Sequence, residues 1–170
     1  MKAGTSYKTV TSREKRILSV EGNVQHDTKI PMVTHCDKGT MGLEQLQILK
    51  ENGANLEHVC LSHVDLQKDV SYIEKICDTG ASVSFDHIGR ELDNKDHDRV
   101  VMLEQLIKDG YQDQICLAGD MGRKKYFLSY NGKPGLRYIL TDLKQELIPR
   151  IGEDNFNKMV IDNPKRILSF

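Results

Sequence analysis

Four apolar runs in this chain each end on a residue able to hold a metal ion or a proton. Ile30-Pro-Met-Val-Thr-His35 and His58-Val-Cys-Leu-Ser-His63 end on histidine, and Ala81-Ser-Val-Ser-Phe-Asp86-His87 ends on an aspartate and a histidine. Asp113-Gln-Ile-Cys-Leu-Ala-Gly-Asp120 ends on a carboxylate, just before Met-Gly-Arg123. Neutral imidazole and carboxylate are the donors that suit Zn²⁺ and similar divalent ions. If the runs are neighbouring parallel strands, His35 and His63 stand at equivalent strand ends and project into one space, with Asp120 to complete the set. Each residue also has an ordinary reading. The histidines can be solvent-facing residues beside loops, and Asp120 can cap the next helix or hold Arg123. Asp86-His87 can be a capped turn, and Asp65 can simply open a helix.

The elements needed to position those ends are legible. Residues 1–8 read as a short piece of strand running into Gly4-Thr-Ser-Tyr7. Thr11-Ser-Arg-Glu14 has the form of a capping box opening a helix through Ile17, Leu18 and Val20. Gly22-Asn23 weakens that helix, by about 1 kcal/mol at the glycine relative to alanine. After strand 30–35, Leu43, Leu46 and Leu49 share one helical face that stops at Asn52-Gly53. Strand 58–63 leads through Asp65 to a helix from Asp69, with Val70, Ile73, Ile76 and Cys77 inward and Gly80 at its end. Strand 81–86 is followed by a charged loop, Gly89 to Asp98, and a helix carrying Val100, Val101, Leu103, Leu106 and Ile107. Strand 114–119 gives way to the longest irregular stretch, Met121 to Pro134, which reads as a binding lid. Leu136, Ile139, Leu140, Leu143 and Leu147 predict an amphipathic helix closed by Pro149. A last helix covers 153–161, and Pro164 is placed to start a further turn.

One helix between consecutive strands imposes parallel pairing and right-handed crossovers. A complete eightfold barrel takes about 250 residues, or roughly 31 per unit, so 170 residues accommodate four full units and the end of a fifth strand. The predicted fold is α/β: the C-terminal half of a TIM-type (β/α)8 barrel, one domain over residues 1–170. Two sheet edges are then open, and an inner apolar face including Val33, Leu61, Val83 and Phe85 lacks its opposing layer. A flavodoxin-like doubly wound sheet is the alternative, disfavoured because no glycine-rich phosphate loop follows any strand.

Composition narrows the setting. The 24 basic and 25 acidic residues give no general attraction to nucleic acid or to an anionic membrane, while 38% hydrophobic residues support a packed core. The amino terminus carries no apolar signal region and no window approaches the ~18 apolar residues of a membrane span, so the chain reads as cytoplasmic. Cys36, Cys60, Cys77 and Cys116 form no CxxC pair and fit reduced, buried thiols.

With those motifs in place, the chain resembles the phosphotriesterase-like branch of the amidohydrolase superfamily, which includes phosphotriesterase homology proteins and lactonases. The likeness is carried by Lys2-Ala-Gly-Thr-Ser-Tyr7, Thr34-His35, Gly39-Thr-Met-Gly-Leu-Glu-Gln-Leu46, Ser62-His63-Val-Asp65 and Phe85-Asp86-His87-Ile-Gly-Arg90. Gly119-Asp120-Met-Gly-Arg123 and Asn163-Pro-Lys-Arg-Ile-Leu-Ser-Phe170 extend it to the carboxyl end. The resemblance implies a β/α barrel with two divalent metals, Zn²⁺ first among them, bridged by a carboxylated lysine. Hydroxide between the metals attacks a small-molecule ester, lactone or phosphotriester. It implies Lys2 as that lysine, His35 and His63 as ligands of the more exposed metal, and Asp120 as ligand of the more buried one and acceptor of a proton. It further implies His87 and Asp65 as groups relaying that proton outward, and Arg123, Tyr126 and Tyr130 as substrate-facing residues of the lid. The family's His-x-His pair, which completes the buried metal's shell, is absent from these 170 residues. The expectation is therefore the C-terminal portion of a divalent-metal hydrolase, holding at most about one ion and inactive in isolation. The alternative is an inactive relic or single-metal module. Self-association or an N-terminal half-barrel is the expected partner of the open edges.

Overall fold

The computed structural model of the chain describes residues 1–90 and 95–169. Five strands alternate with helices: β1 (Lys2–Thr5), α1 (Ser12–Thr28), β2 (Met32–Cys36), α2 (Gly42–Glu51), β3 (Val59–Ser62), α3 (Val70–Cys77), β4 (Ser82–Phe85), α4 (Lys95–Lys108) and β5 (Ile115–Leu117). Each strand pairs in parallel with the next, in the order β1-β2-β3-β4-β5. An order that never reverses keeps every right-handed crossover helix on one side of the sheet. The packing agrees, with α1 against β1 and α2, α2 against α3, and α3 against α4. A doubly wound sheet needs a reversal of strand order, so the flavodoxin-like alternative falls.

Lateral register separates the two faces. Ala3, Thr34, Leu61, Val83 and Ile115 form one row across the sheet. Leu61, Val83 and Ile115, with Val59 and Phe85, pack into the core against Leu46, Leu49, Ile73, Ile76, Leu103 and Leu106 of the helices. Burying each such side chain stabilises the fold by roughly 1.5–3 kcal/mol. The opposite face carries the rows Lys2, Val33, Cys60, Ser82 and Gly4, His35, Ser62, Ser84, Cys116. The expected inner apolar face is thus corrected. Leu61, Val83 and Phe85 lie under the helices, and only Val33 of the four belongs to the inner face, because the pleat sends alternate side chains to opposite sides.

Two helices run further than their sequences suggest. The capping box forms, with Glu14 N donating to Thr11 Oγ1 and Thr11 N to Glu14 Oε2, but α1 continues through Gly22-Asn23 to Thr28. Gly22 is where α1 crosses α2: a Cβ there would meet Asn52 Cβ at 2.9 Å and Leu49 O at 3.1 Å. The glycine that weakens the helix locally is a packing requirement of this crossing. Likewise α5 (Asp142–Ile151) passes Pro149 to seat Ile151 in the core. Leu136 and Leu140, expected within that helix, precede it and are exposed, and residues 138–140 form only a 3₁₀ turn. Of the charged loop read over Gly89 to Asp98, residues 91–94 lie outside the described residues and the rest from Lys95 belongs to α4.

The lid, Met121 to Pro134, contains two 3₁₀ turns, Lys124–Tyr126 and Leu128–Tyr130. Lys133 N to Lys125 O and Gly135 N to Tyr126 O tie its two limbs together. Beyond α5, α6 (Glu153–Asn157) passes through one π turn, Lys158–Asp162, into α7 (Asn163–Leu168), which Pro164 opens. α7 lies under the amino ends of the strands. Ile167 packs on Cys60 and Cys116, Asn163 Nδ2 donates to Gln112 O and Ile115 O, and Arg166 donates to Glu57 O and Asp113 O. All four cysteines are free and buried.

Candidate metal centre

Because β2 to β5 end side by side, their terminal side chains meet. His35, His63, His87 and Asp120 line one cavity of about 280 Å³, together with Lys38 and Arg90. Three imidazoles stand in a row, His35 to His63 at 4.7 Å between ring centroids and His63 to His87 at 4.9 Å, each pair edge to face. Local backbone makes this possible. His63 takes a left-handed conformation, φ 71°, and Asp120 another, φ 41°, so the chain turns sharply as it leaves β3 and β5. Gly39, φ 78°, lets the loop after β2 come so close to His63 that a Cβ would sit 2.6 Å from its carbonyl oxygen.

Asp86 is the hub of the cluster. Its Oδ1 lies 2.7 Å from His63 Nδ1 and 3.2 Å from His87 Nδ1, and it accepts from the His63 backbone N–H at 3.1 Å. Burial alone would raise its pKa, but the hydrogen bonds from His63 and His87 outweigh that and hold it at about 2. The hydrogen bond to Asp86 in turn pushes His63 above the usual histidine range. His35 moves the other way: burial lowers it, and His63 nearby adds to the effect. His35 is therefore neutral near pH 7, with its donor nitrogens unengaged by any hydrogen bond among the described residues.

Within the described residues, His63, Asp86 and His87 have ligand atoms all within 4.8 Å of one another. Asp86 already accepts from both rings, so it serves better as the carboxylate that orients a ligating histidine than as a ligand itself. With Nδ1 of His63 facing Asp86, its Nε2 is the nitrogen left for an ion. His35 and Asp120 line the same cavity as His63, and imidazole nitrogen with carboxylate oxygen is the donor chemistry that suits a divalent ion of the zinc type.

The other anticipated residues are placed less simply. Lys2 is exposed on the inner side of β1, one strand position pair below His35, and does not line the cavity. Asp65 is wholly buried, with Oδ2 2.7 Å from Arg99 Nε and Oδ1 unpartnered among the described residues. Burial pushes its carboxyl up, Arg99 opposing. Arg99 also reaches Asp96 at 3.1 Å, whose other oxygen accepts from Gly89 N. His87 therefore faces Asp86 rather than Asp65. Between His87 and Asp120 stands Arg90, whose Nη1 donates to His87 Nε2 at 2.9 Å and to Asp120 Oδ2 at 2.5 Å. A guanidinium does not give up its proton in proteins, so in this arrangement no proton passes directly from Asp120 to His87. Of the lid residues, Tyr126 is buried and accepts from Arg90 Nε at 3.3 Å, while Arg123 and Tyr130 are exposed. None of the three lines the cavity. Sequence reasoning passed over Arg90 and Lys38 as cavity residues. Arg90 had one available signal, a cation three residues after His87 across a glycine turn.

Comparison with known proteins agrees with this arrangement. Residues 1–168 match the Phosphotriesterase family. The phosphotriesterase homology protein of Escherichia coli (strain K12) is 33% identical over 159 residues, covering 94% of this chain and 53% of that protein. The phospho-furanose lactonase of Mycoplasmopsis synoviae (strain 53) is 32% identical over 178 residues, covering 100% of this chain and 50% of that protein. A lactonase crystal structure from Listeria monocytogenes superposes with a TM-score of 0.94 at 34% identity, covering 99% of this chain and 53% of that one. The chain spans about half the length of the relatives it matches. In its parallel sheet, its strand-end histidines and its sequence, the chain belongs to the phosphotriesterase family.

Proposed function

We propose that the cavity is the exposed-metal portion of a divalent-metal hydrolase site acting on a small-molecule ester or lactone. The observation that carries the reading is the meeting of His35, His63 and Asp120 at one cavity with His63 oriented by Asp86. His35 and His63 would hold the ion, Zn²⁺ by donor type, and Asp120 would supply the carboxylate. A divalent ion held there supplies Lewis acidity toward a carbonyl or phosphoryl oxygen and lowers the pKa of water. Lys38 and Arg90 stand in the cavity beside Asp37 and Asp120, and these two cations would be the groups to meet an anionic substituent on a lactone or ester, in keeping with the name of the phospho-furanose lactonase relative. Arg123 and Tyr130 on the lid meet the substrate as it enters, and Tyr126 acts by holding Arg90. The reduced thiols are consistent with a cytoplasmic setting.

Completion of the site is part of the proposal. Several exposed large apolar side chains belong to the elements that follow the two edge strands, Ile17, Val20 and Val24 on α1 and Leu136, Leu140 and Ile161 after β5, with Val101 on α4 exposed as well. That distribution supports a half-barrel whose edges are covered by further strands or by self-association. Lys2 is exposed on the edge strand β1, so it would serve as the carboxylated bridge only once such a wall encloses it. The 170-residue chain alone is then expected to bind one ion and to lack turnover. A single-ion module without catalysis is the second reading, favoured by Arg90 between Asp120 and His87.

Calorimetric titration of Zn²⁺ into the chain and its variants tests the metal reading. His35→Ala and His63→Ala should each abolish binding, and His26→Ala and His97→Ala should leave it intact. Equal affinities across the four would mean that the strand-end histidines are not a site.

A further inference from the structure

Arg90 occupies the position from which both Asp120 and His87 are controlled. Its Nη1 donates to Asp120 Oδ2 and to His87 Nε2, its side chain is only 17% exposed, and its Cζ lies 5.8 Å from the Tyr126 ring centroid. Tyr126, whose hydroxyl accepts from Arg90 Nε, is itself buried and held by its backbone N–H to Arg123 O. The lid thus fixes the guanidinium against the strand-end cluster.

A guanidinium is permanently charged and offers donors only. At Asp120 it neutralises the same carboxylate that a divalent ion would draw on, and two cations sharing one carboxylate repel each other. At His87 its N–H occupies Nε2, which leaves the ring proton on Nδ1, facing Asp86 Oδ1.

We propose that Arg90 is a latch cation that competes with the divalent ion for Asp120, so that the ion is held tightly only when the guanidinium releases the carboxylate. The inference rests on the metal reading above. Lid position and metal affinity are then linked, because Tyr126 is the lid residue that keeps Arg90 in place.

Zn²⁺ titration at neutral pH, on the 170-residue chain and on Arg90→Gln, Arg90→Lys, Tyr126→Phe and His63→Ala, tests it, with circular dichroism to verify each fold. Arg90→Gln should bind Zn²⁺ about ten-fold more tightly than the parent, whereas Arg90→Lys, which keeps the charge, should stay within about two-fold. Tyr126→Phe, which loosens the guanidinium, should gain about two- to three-fold. A gain cannot come from a damaged fold, so its sign separates a latch from a merely structural role. Unchanged or weaker affinity in Arg90→Gln, with binding lost in His63→Ala, overturns the latch and leaves the metal site standing. If Arg90→Gln does not fold, Tyr126→Phe decides, and an unchanged affinity there overturns the latch. Binding that survives His63→Ala unchanged, or no binding by any form, overturns the metal reading and the latch with it.

Discussion

Beneath the strands, Asn163 and Arg166 donate to the carbonyls of Gln112, Ile115, Glu57 and Asp113, and Ile167 fills the space beside Cys60 and Cys116. Above them, three imidazoles crowd one cavity, two strand ends turn through left-handed backbone, and Asp65 buries an oxygen without a partner among the described residues. The lower end is arranged so that donors and acceptors match. The upper end keeps donor atoms unspent and charges close together, at a cost in local stability. In β/α barrels the carboxyl ends of the strands carry chemistry and the amino ends carry stability, and this chain shows the division in its hydrogen bonding alone. The capping box at Thr11 qualifies the contrast, because it lies at the upper end and is fully satisfied.

The sharpest way to break the comparison is His63→Ala. Zn²⁺ binding, read by calorimetry, should disappear, while the melting temperature falls less than in any substitution at Asn163. Retained binding would take the chemistry away from the upper end. Asn163→Ala should do the reverse, losing about 2–4 kcal/mol in urea unfolding because the buried carbonyl of Ile115 and the part-buried carbonyl of Gln112 lose their donor, with Zn²⁺ affinity unchanged in the protein that remains folded. Stability equal to the parent would show that α7 is not the support it resembles.

Asp86→Asn probes the upper end more gently. The change keeps the shape but removes the charge that orients His63, so Zn²⁺ affinity should fall by about ten- to a hundred-fold, and an undiminished affinity would assign Asp86 to the fold. Smallest is the capping box, where Thr11→Ala should cost about 1 kcal/mol without touching metal binding. The hydrogen bonds from Ser6 and the Thr11 backbone hold Glu14 below the ordinary glutamate value. A carboxylate depressed in the folded state contributes stability above its unfolded pKa of about 4.3 and loses it as pH falls through the lower, folded value. Acid titration should therefore destabilise the parent more steeply than Glu14→Gln across that window, and parallel curves would remove Glu14 from the account.

Much of this was legible in the sequence. The four apolar runs became β2 to β5, the first residues became β1, and the strand-end histidines and Asp120 met at one cavity. The misreadings share a cause, which is that tertiary packing is not written locally. Gly22 reads as a weak point in its helix and Pro149 as a stop, yet one permits a helix crossing and the other is carried by the burial of Ile151. Leu61, Val83 and Phe85 were assigned to the wrong face, although Ser82 and Ser84 alternating with Val83 and Phe85 already held the answer. Larger apolar side chains went to the wide helix layer and small polar ones to the narrow interior. Arg90 was passed over because its importance comes from where two loops place it and not from its own neighbours in sequence.

The left-handed backbone at the cavity has a consequence for selection. Lys38, His63 and Asp120 all line the cavity and all have positive φ, a region that glycine and asparagine enter more readily than histidine or lysine. A library of this chain selected for heat resistance alone should therefore drift toward glycine or asparagine at positions 63 and 120. Heat resistance would improve while the donors disappear, so any such campaign must reward metal retention in every round.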